Sequence, residues 1–182
     1  ADRVEQIEKA RSIFYEGFVA ESIDSFCRTQ SVIDTSGRRH GGFLTGQDMA
    51  SWRAEYESPI SYDYHDYTVF KTKPWTQGPV FLQQLALLKG VDLSECEPTS
   101  ADFVHTVTEV SKLAFADRDA FYGDPNFVDV PLGHLLSDSY NSERRKLITT
   151  KASLQIRPGR VEGWIDPVPY RPTGTTQEIA YR

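Results

Sequence analysis

At 182 residues, with 39% hydrophobic and 25% charged positions, the chain has the bulk of one globular domain with a sizeable core. A net charge of −6 and basic clusters limited to Arg38-Arg39 and Arg144-Arg145-Lys146 argue against nucleic acid as a partner. The longest apolar stretch, "LALLKGV", is interrupted by Lys89, so no membrane partner is expected.

The first residues are charged and lack the apolar centre of a signal peptide, and the compartment, cytoplasmic or periplasmic, stays open. Cys27 and Cys96 have no metal-ligand spacing and read as two free thiols. Residues 4 to 29 read as one long helix or two short ones, because Val4, Ile7, Ala10, Ile13 and Phe14 recur at helical spacing. Val19, Ile23 and Phe26 continue the pattern past Gly17. "SVIDTSGRRHGG", 31 to 42, is rich in turn residues and reads as a loop. "LTGQDMASWRAEY" offers Thr45 as the cap of a short helix, with Asp48 placed to complete a capping box.

"ISYDYHDYTVFKTK", 60 to 73, alternates and is rich in aromatic and β-branched residues, which predicts a β-hairpin turning between Asp63 and Asp66. A helix follows Pro74, with Pro79 in its first turn and Gly90 past its end. A third helical segment spans about 100 to 121, capped by Thr99 or Ser100, with Phe103, Val107, Val110, Ala114 and Phe121 as its buried stripe. A fourth helix is expected near 132 to 149. Residues 149 to 182 hold many prolines and glycines and no sustained period, and read as an extended or disordered arm without a core of its own.

The run "FADRDAFYGDPNFVDVPL" concentrates Asp117, Asp119, Asp124 and Asp129. Asp117 and Asp119, two apart on a helix, point about 200° apart and cannot converge on one bond, as paired-carboxylate catalysis requires. Asp124-Pro125 and Asp129-Val130-Pro131 suit turns. The run therefore reads as helix termination and capping. Asp102, His105 and Glu109 share a helix face, but one histidine without a second at ligand spacing reads as a solvated face, not a metal site. No nucleophile elbow or phosphate loop is present. Trp75 in "PWTQGP" reads as a buried wedge beside a helix start rather than an exposed binding lip. No catalytic, cofactor-binding or metal-ligating residue is assigned.

Three longer strings resemble the gamma-glutamyltranspeptidase family: "ARSIFYEGFVAESI", "GGFLTGQDMASWRAEYESPISYDYHDYTVFK" and "EVSKLAFADRDAFYGDPNFVDVPLGHLLSDSYNSERRKLI". The match is collinear from about residue 8 to 148 and resembles the C-terminal part of the family's large subunit. The resemblance implies an N-terminal-nucleophile hydrolase, an αββα sandwich matured by self-cleavage. The chain would then be an α+β, mostly helical piece with a small β-hairpin, divided into 1–148 and an arm, 149–182. Its implied partners are a small subunit carrying the Thr nucleophile and a small γ-glutamyl or other amide substrate, with no cofactor.

The family's carboxylate-gripping arginine lies upstream of the matched region, and the nucleophile and its Gly-rich loop lie after it. Thr173, Thr175 and Thr176 are not followed by the motif that marks the nucleophile and are not assigned that role. "PWTQGP" replaces the family's Ser-Ser-Gly-Gly turn, which leaves room for an acylase of different side-chain preference. The chain alone is expected to be inactive. The alternative is a non-catalytic helical interaction module that retains only this part of the fold.

Overall fold

A computed structural model describes residues 2–164, and within them the chain forms two compact units that divide between Tyr56 and Glu57. In the first unit, α1 (Arg3–Tyr15) starts from a capping box. The Glu5 amide donates to the Asp2 carboxylate at 2.9 Å, and the Asp2 amide donates to Glu5 at 3.2 Å. The helical pattern of 4 to 29 resolves into two helices because it breaks at Gly17, where a Cβ would lie 2.9 Å from the Ile13 carbonyl. The second, α2 (Phe18–Thr29), follows at once.

The expected loop at 31–42 contains a minimal hairpin, β1 (Val32–Ile33) with β2 (Arg39–His40). It is closed by Asp34, which accepts the Ser36 amide at 2.8 Å, and by Gly37 at φ 75°. Two paired residues per strand are too few to leave an alternating pattern in the sequence. The helix α3 (Gly46–Ser51) carries the capping box expected of Thr45 and Asp48, and the Asp24 carboxylate accepts the Gly46 amide at 2.9 Å.

In the second unit, β3 (Ile60–Tyr64) and β4 (Tyr67–Lys71) form the expected hairpin. The turn is tighter than the sequence suggests. Asp63 is a strand residue opposite Thr68, and only His65 and Asp66 reverse the chain, with His65 at φ 50°. After Pro74, α4 (Gly78–Leu88) begins where a Cβ on Gly78 would sit 2.3 Å from the Thr72 carbonyl. The long helix α5 (Ala101–Phe121) is capped by Ser100. It packs on α4 through Val80, Leu87, Val110, Leu113 and Ala114. Of the stripe expected from periodicity, Val110, Ala114 and Phe121 are buried, while Phe103 and Val107 are half-buried.

The single helix expected at 132–149 is two: α6 (Leu132–Leu135) and α7 (Asp138–Arg145). Ser137 interrupts them by capping α7, its hydroxyl accepting the Tyr140 amide. Arg145 then ties α7 to the end of α4, donating to the carbonyls of Leu87 at 2.7 Å and Ala86 at 3.1 Å. Gly90 makes room for that guanidinium. A second apolar cluster joins Phe121, Leu135, Tyr140 and Val161.

Residues 149–163 contain no helix or strand, and Val161 is nevertheless buried. The remainder of the expected arm, with Thr173, Thr175 and Thr176, lies outside the described residues. Both cysteines are free.

The two units differ in how they bury apolar surface. Both apolar clusters belong to the second, whereas the first, among its described hydrophobic residues, buries only Ala20 and Met49 and leaves Phe43 95% exposed. Leu113→Ala should therefore lower stability by about 2–5 kcal/mol. Phe43→Ser should change it by no more than about 0.5 kcal/mol. Urea unfolding of both variants reads the contrast.

Candidate functional site

The two strings that stand out in the sequence, "PWTQGP" and the aspartate-rich run, meet in space. The turn after β4 and the C-terminal end of α5 enclose a cleft of about 910 Å³, lined by Trp75, Gln77, Arg118, Asp119, Tyr122 and Asp124 among others. Trp75 is not the buried wedge expected from its neighbours. It is half exposed, and its indole Nε1 donates to Glu57 at 2.7 Å, which holds the ring at the cleft edge.

Arg118 lies across the Phe115 ring at 4.8 Å and donates through Nε and Nη2 to Asp119 at 2.8 and 2.6 Å. Burial and the neighbouring Asp117 charge push the Tyr122 hydroxyl well above the ordinary tyrosine range, so it stays protonated. Asp124 closes a turn by accepting the Asn126 amide at 2.9 Å, as the sequence leads one to expect. An aromatic ledge with a compensated ion pair and a neutral phenol can hold a partly apolar ligand. It has no nucleophile hydrogen-bonded to a base.

Behind the cleft, Asp117 departs from its expected role. It does not terminate α5 but is fully buried, and its carboxylate collects four donors. Gln83 Nε2 donates to Oδ2 at 2.6 Å and the Tyr140 hydroxyl at 3.0 Å. Arg144 Nη2 donates to Oδ1 at 3.0 Å and the Gly159 amide at 2.7 Å. Four donors compensate a charge removed from water, including a main-chain amide 42 residues downstream. Sequence reasoning missed it because those partners come from α4, α7 and the segment after α7. Its one available signal is Arg144-Arg145 at the end of α7, two guanidiniums in the last turn of a short helix.

The face read as solvated is only partly so. Asp102 is exposed, and His105 Nε2 donates to the Thr149 carbonyl at 2.7 Å, but Glu109 is buried. Its carboxylate accepts from Lys112, from the Ser153 amide at 3.1 Å and from Arg157 Nη2 at 2.9 Å. Among the described residues no three His, Cys, Asp or Glu side chains gather as a metal would require, so these three residues are not brought together as ligands. No described helix is long and apolar enough to cross a membrane.

Burial opposes the Glu109 charge, but the Lys112 and Ser153 hydrogen bonds and the Arg157 charge outweigh it and hold the carboxyl below its ordinary value of 4.5. A carboxyl depressed by folding stabilises the protein fully above that value, and the contribution disappears as pH falls through the lower folded value. Glu109→Gln should thus cost about 1–3 kcal/mol at neutral pH. Melting temperatures measured from pH 7 downward should show wild type and variant converging only below pH 4.5.

The relatives of this chain fit the scaffold just described. The family model described as Gamma-glutamyltranspeptidase matches residues 1–179. The glutathione hydrolase-like YwrD proenzyme of Bacillus subtilis (strain 168) is 36% identical over 133 residues, covering 73% of this chain and 23% of that protein. Among solved structures, LmbA2991HD is 51% identical with a TM-score of 0.73, over 87% of this chain and 26% of that one. A cephalosporin acylase from Bacillus halodurans is 36% identical with a TM-score of 0.67, over 84% and 26%. The chain therefore spans about a quarter of the length of these relatives, and it belongs to the gamma-glutamyltranspeptidase family.

Proposed function

We propose that this chain is part of the large subunit of an enzyme that hydrolyses or transfers γ-glutamyl or related acyl groups from amides. The observation that carries this reading is the family match over residues 1–179, by a chain that spans only about a quarter of its relatives. In that role residues 1–148, with the 149–161 segment packed on them, are scaffold for an αββα sandwich that a small subunit completes. The small subunit supplies an N-terminal Thr whose own amine acts as base, so that the hydroxyl attacks the substrate carbonyl. Hydrogen-bond donors on that subunit stabilise the resulting oxyanion. Water or an acceptor amine then resolves the acyl-enzyme.

The apolar surface of residues 2–56 supports the reading of a piece of a larger fold over that of a self-contained module. Phe18 and Phe26 are more than half exposed and Phe43 almost wholly so. Faces of that kind are covered by further chain or by association. The "PWTQGP" turn departs from the family's Ser-Ser-Gly-Gly turn, and one of the similar structures is a cephalosporin acylase, which supports a related acyl side chain as the second candidate substrate.

The 182-residue chain alone should release no chromophore from a γ-glutamyl anilide. A longer precursor containing it should mature into two chains, the smaller beginning with Thr, and then turn over either the γ-glutamyl anilide or a cephalosporin amide. Intact mass, N-terminal sequencing and the two assays check this, and turnover by the isolated chain would overturn the reading.

A further inference from the structure

Residues 149–161 cross the second unit as a strap with no strand to pair with, and four residues of α5 order their course. His105 holds the Thr149 carbonyl, Glu109 holds the Ser153 amide and the Arg157 guanidinium, and Asp117 holds the Gly159 amide. Val161 joins Phe121 in the second apolar cluster. Positions 105, 109, 117 and 121 lie on a four-residue row that winds slowly around α5, and the strap meets them in ascending order. The helix row is about 24 Å long. Twelve residue steps of chain reach at most about 40 Å, so the strap is extended without being taut.

Apolar burial holds this segment only at its end, through Val161, because Leu154 is fully exposed and Ile156 is half exposed. The polar contacts decide its place, and they accept one register. A Cβ on Gly159 would lie 2.0 Å from the Tyr140 hydroxyl oxygen, so the seat beside Asp117 takes glycine alone. A slip of one residue in one direction would present Pro158, which has no amide hydrogen to donate. A slip in the other would present Arg160. Arg144 reinforces the seat from α7, donating both to Asp117 and to the Arg157 carbonyl.

We propose that Glu109 and Asp117 are a two-point clasp that sets the register of residues 149–161 along α5, and that this strap releases as one unit while the helical core stays folded. The α4–α5 cluster of Val80, Leu87, Val110, Leu113 and Ala114 contains no strap residue. The clasp thereby fixes the point from which the chain beyond Trp164 departs, whatever reaction the parent protein catalyses.

Hydrogen exchange on the full 182-residue chain, resolved by peptide, tests this with Gly159→Ala and Glu109→Gln. Both variants leave the Asp117 carboxylate in place with its donors from Gln83 and Arg144, and the methyl added at 159 presses first on the Tyr140 hydroxyl. In the wild type the strap amides should exchange faster than those of α4 and α5, and Gly159→Ala should speed exchange throughout 149–161 by about 10- to 100-fold. Glu109→Gln should speed exchange over the same span. Equal protection of the strap, α4 and α5 in the wild type would show that strap and core open together and would overturn the proposal. Unchanged strap exchange in both variants would overturn it as well, by showing that the clasp holds nothing.

Discussion

Two carboxylates buried on one helix organise the second unit. A charge taken out of water costs several kcal/mol unless it is met by donors, so the chain around α5 must deliver donors to fixed points. Asp117 receives them from α4, from α7 and from a glycine far downstream, and Glu109 receives them from its own helix and from the segment beyond α7. The apolar α4–α5 contact supplies the bulk of the burial, but it is non-directional. The carboxylates give the packing its geometry, because a hydrogen bond to a buried anion tolerates little displacement.

This arrangement gives the cleft a rigid back wall. Asp117 and Arg118 are adjacent on α5 and point apart, so the helix that holds the buried anion also holds the exposed guanidinium over Phe115. Tyr122, one residue past the helix, senses the same buried charge from the cleft side. The facing turn, with Trp75 at its lip, is anchored by the start of α4, where Gly78 admits the close approach of Thr72. The first unit is built on the opposite principle. Two of its helices, α1 and α3, start from capping boxes, yet the unit's apolar faces meet little within the unit itself.

Local signals in the sequence were read well where the physics is local. The Thr45 capping box, the Ser100 cap, the 60–71 hairpin and Pro79 in a first helical turn each depend on residues within a few positions of one another. The pattern at 132–149 reads as one helix because Ser137 serves equally as a helical residue or a cap, and in the fold its hydroxyl caps α7 at the Tyr140 amide. Trp75 was misplaced because average burial of tryptophan says nothing of a partner such as Glu57, 18 residues away. Of the candidate site, both strings that line the cleft were singled out, but their meeting was not foreseeable.

Sequence by itself determined most of the helical segments, the 60–71 hairpin, the caps at Thr45 and Ser100 and the family, since these rest on short-range pattern and on collinear strings of residues. Tertiary structure alone decided the fate of the acidic residues. On an isolated α5, Asp117 and Asp119 are two similar carboxylates on a polar helix. In the folded unit one is fully buried with four donors, and the other is exposed beside Arg118. Which aspartate goes inside depends on donors brought from 34 residues before it and as many as 42 after it. Their convergence is a property of packing, and no spacing along the chain encodes it.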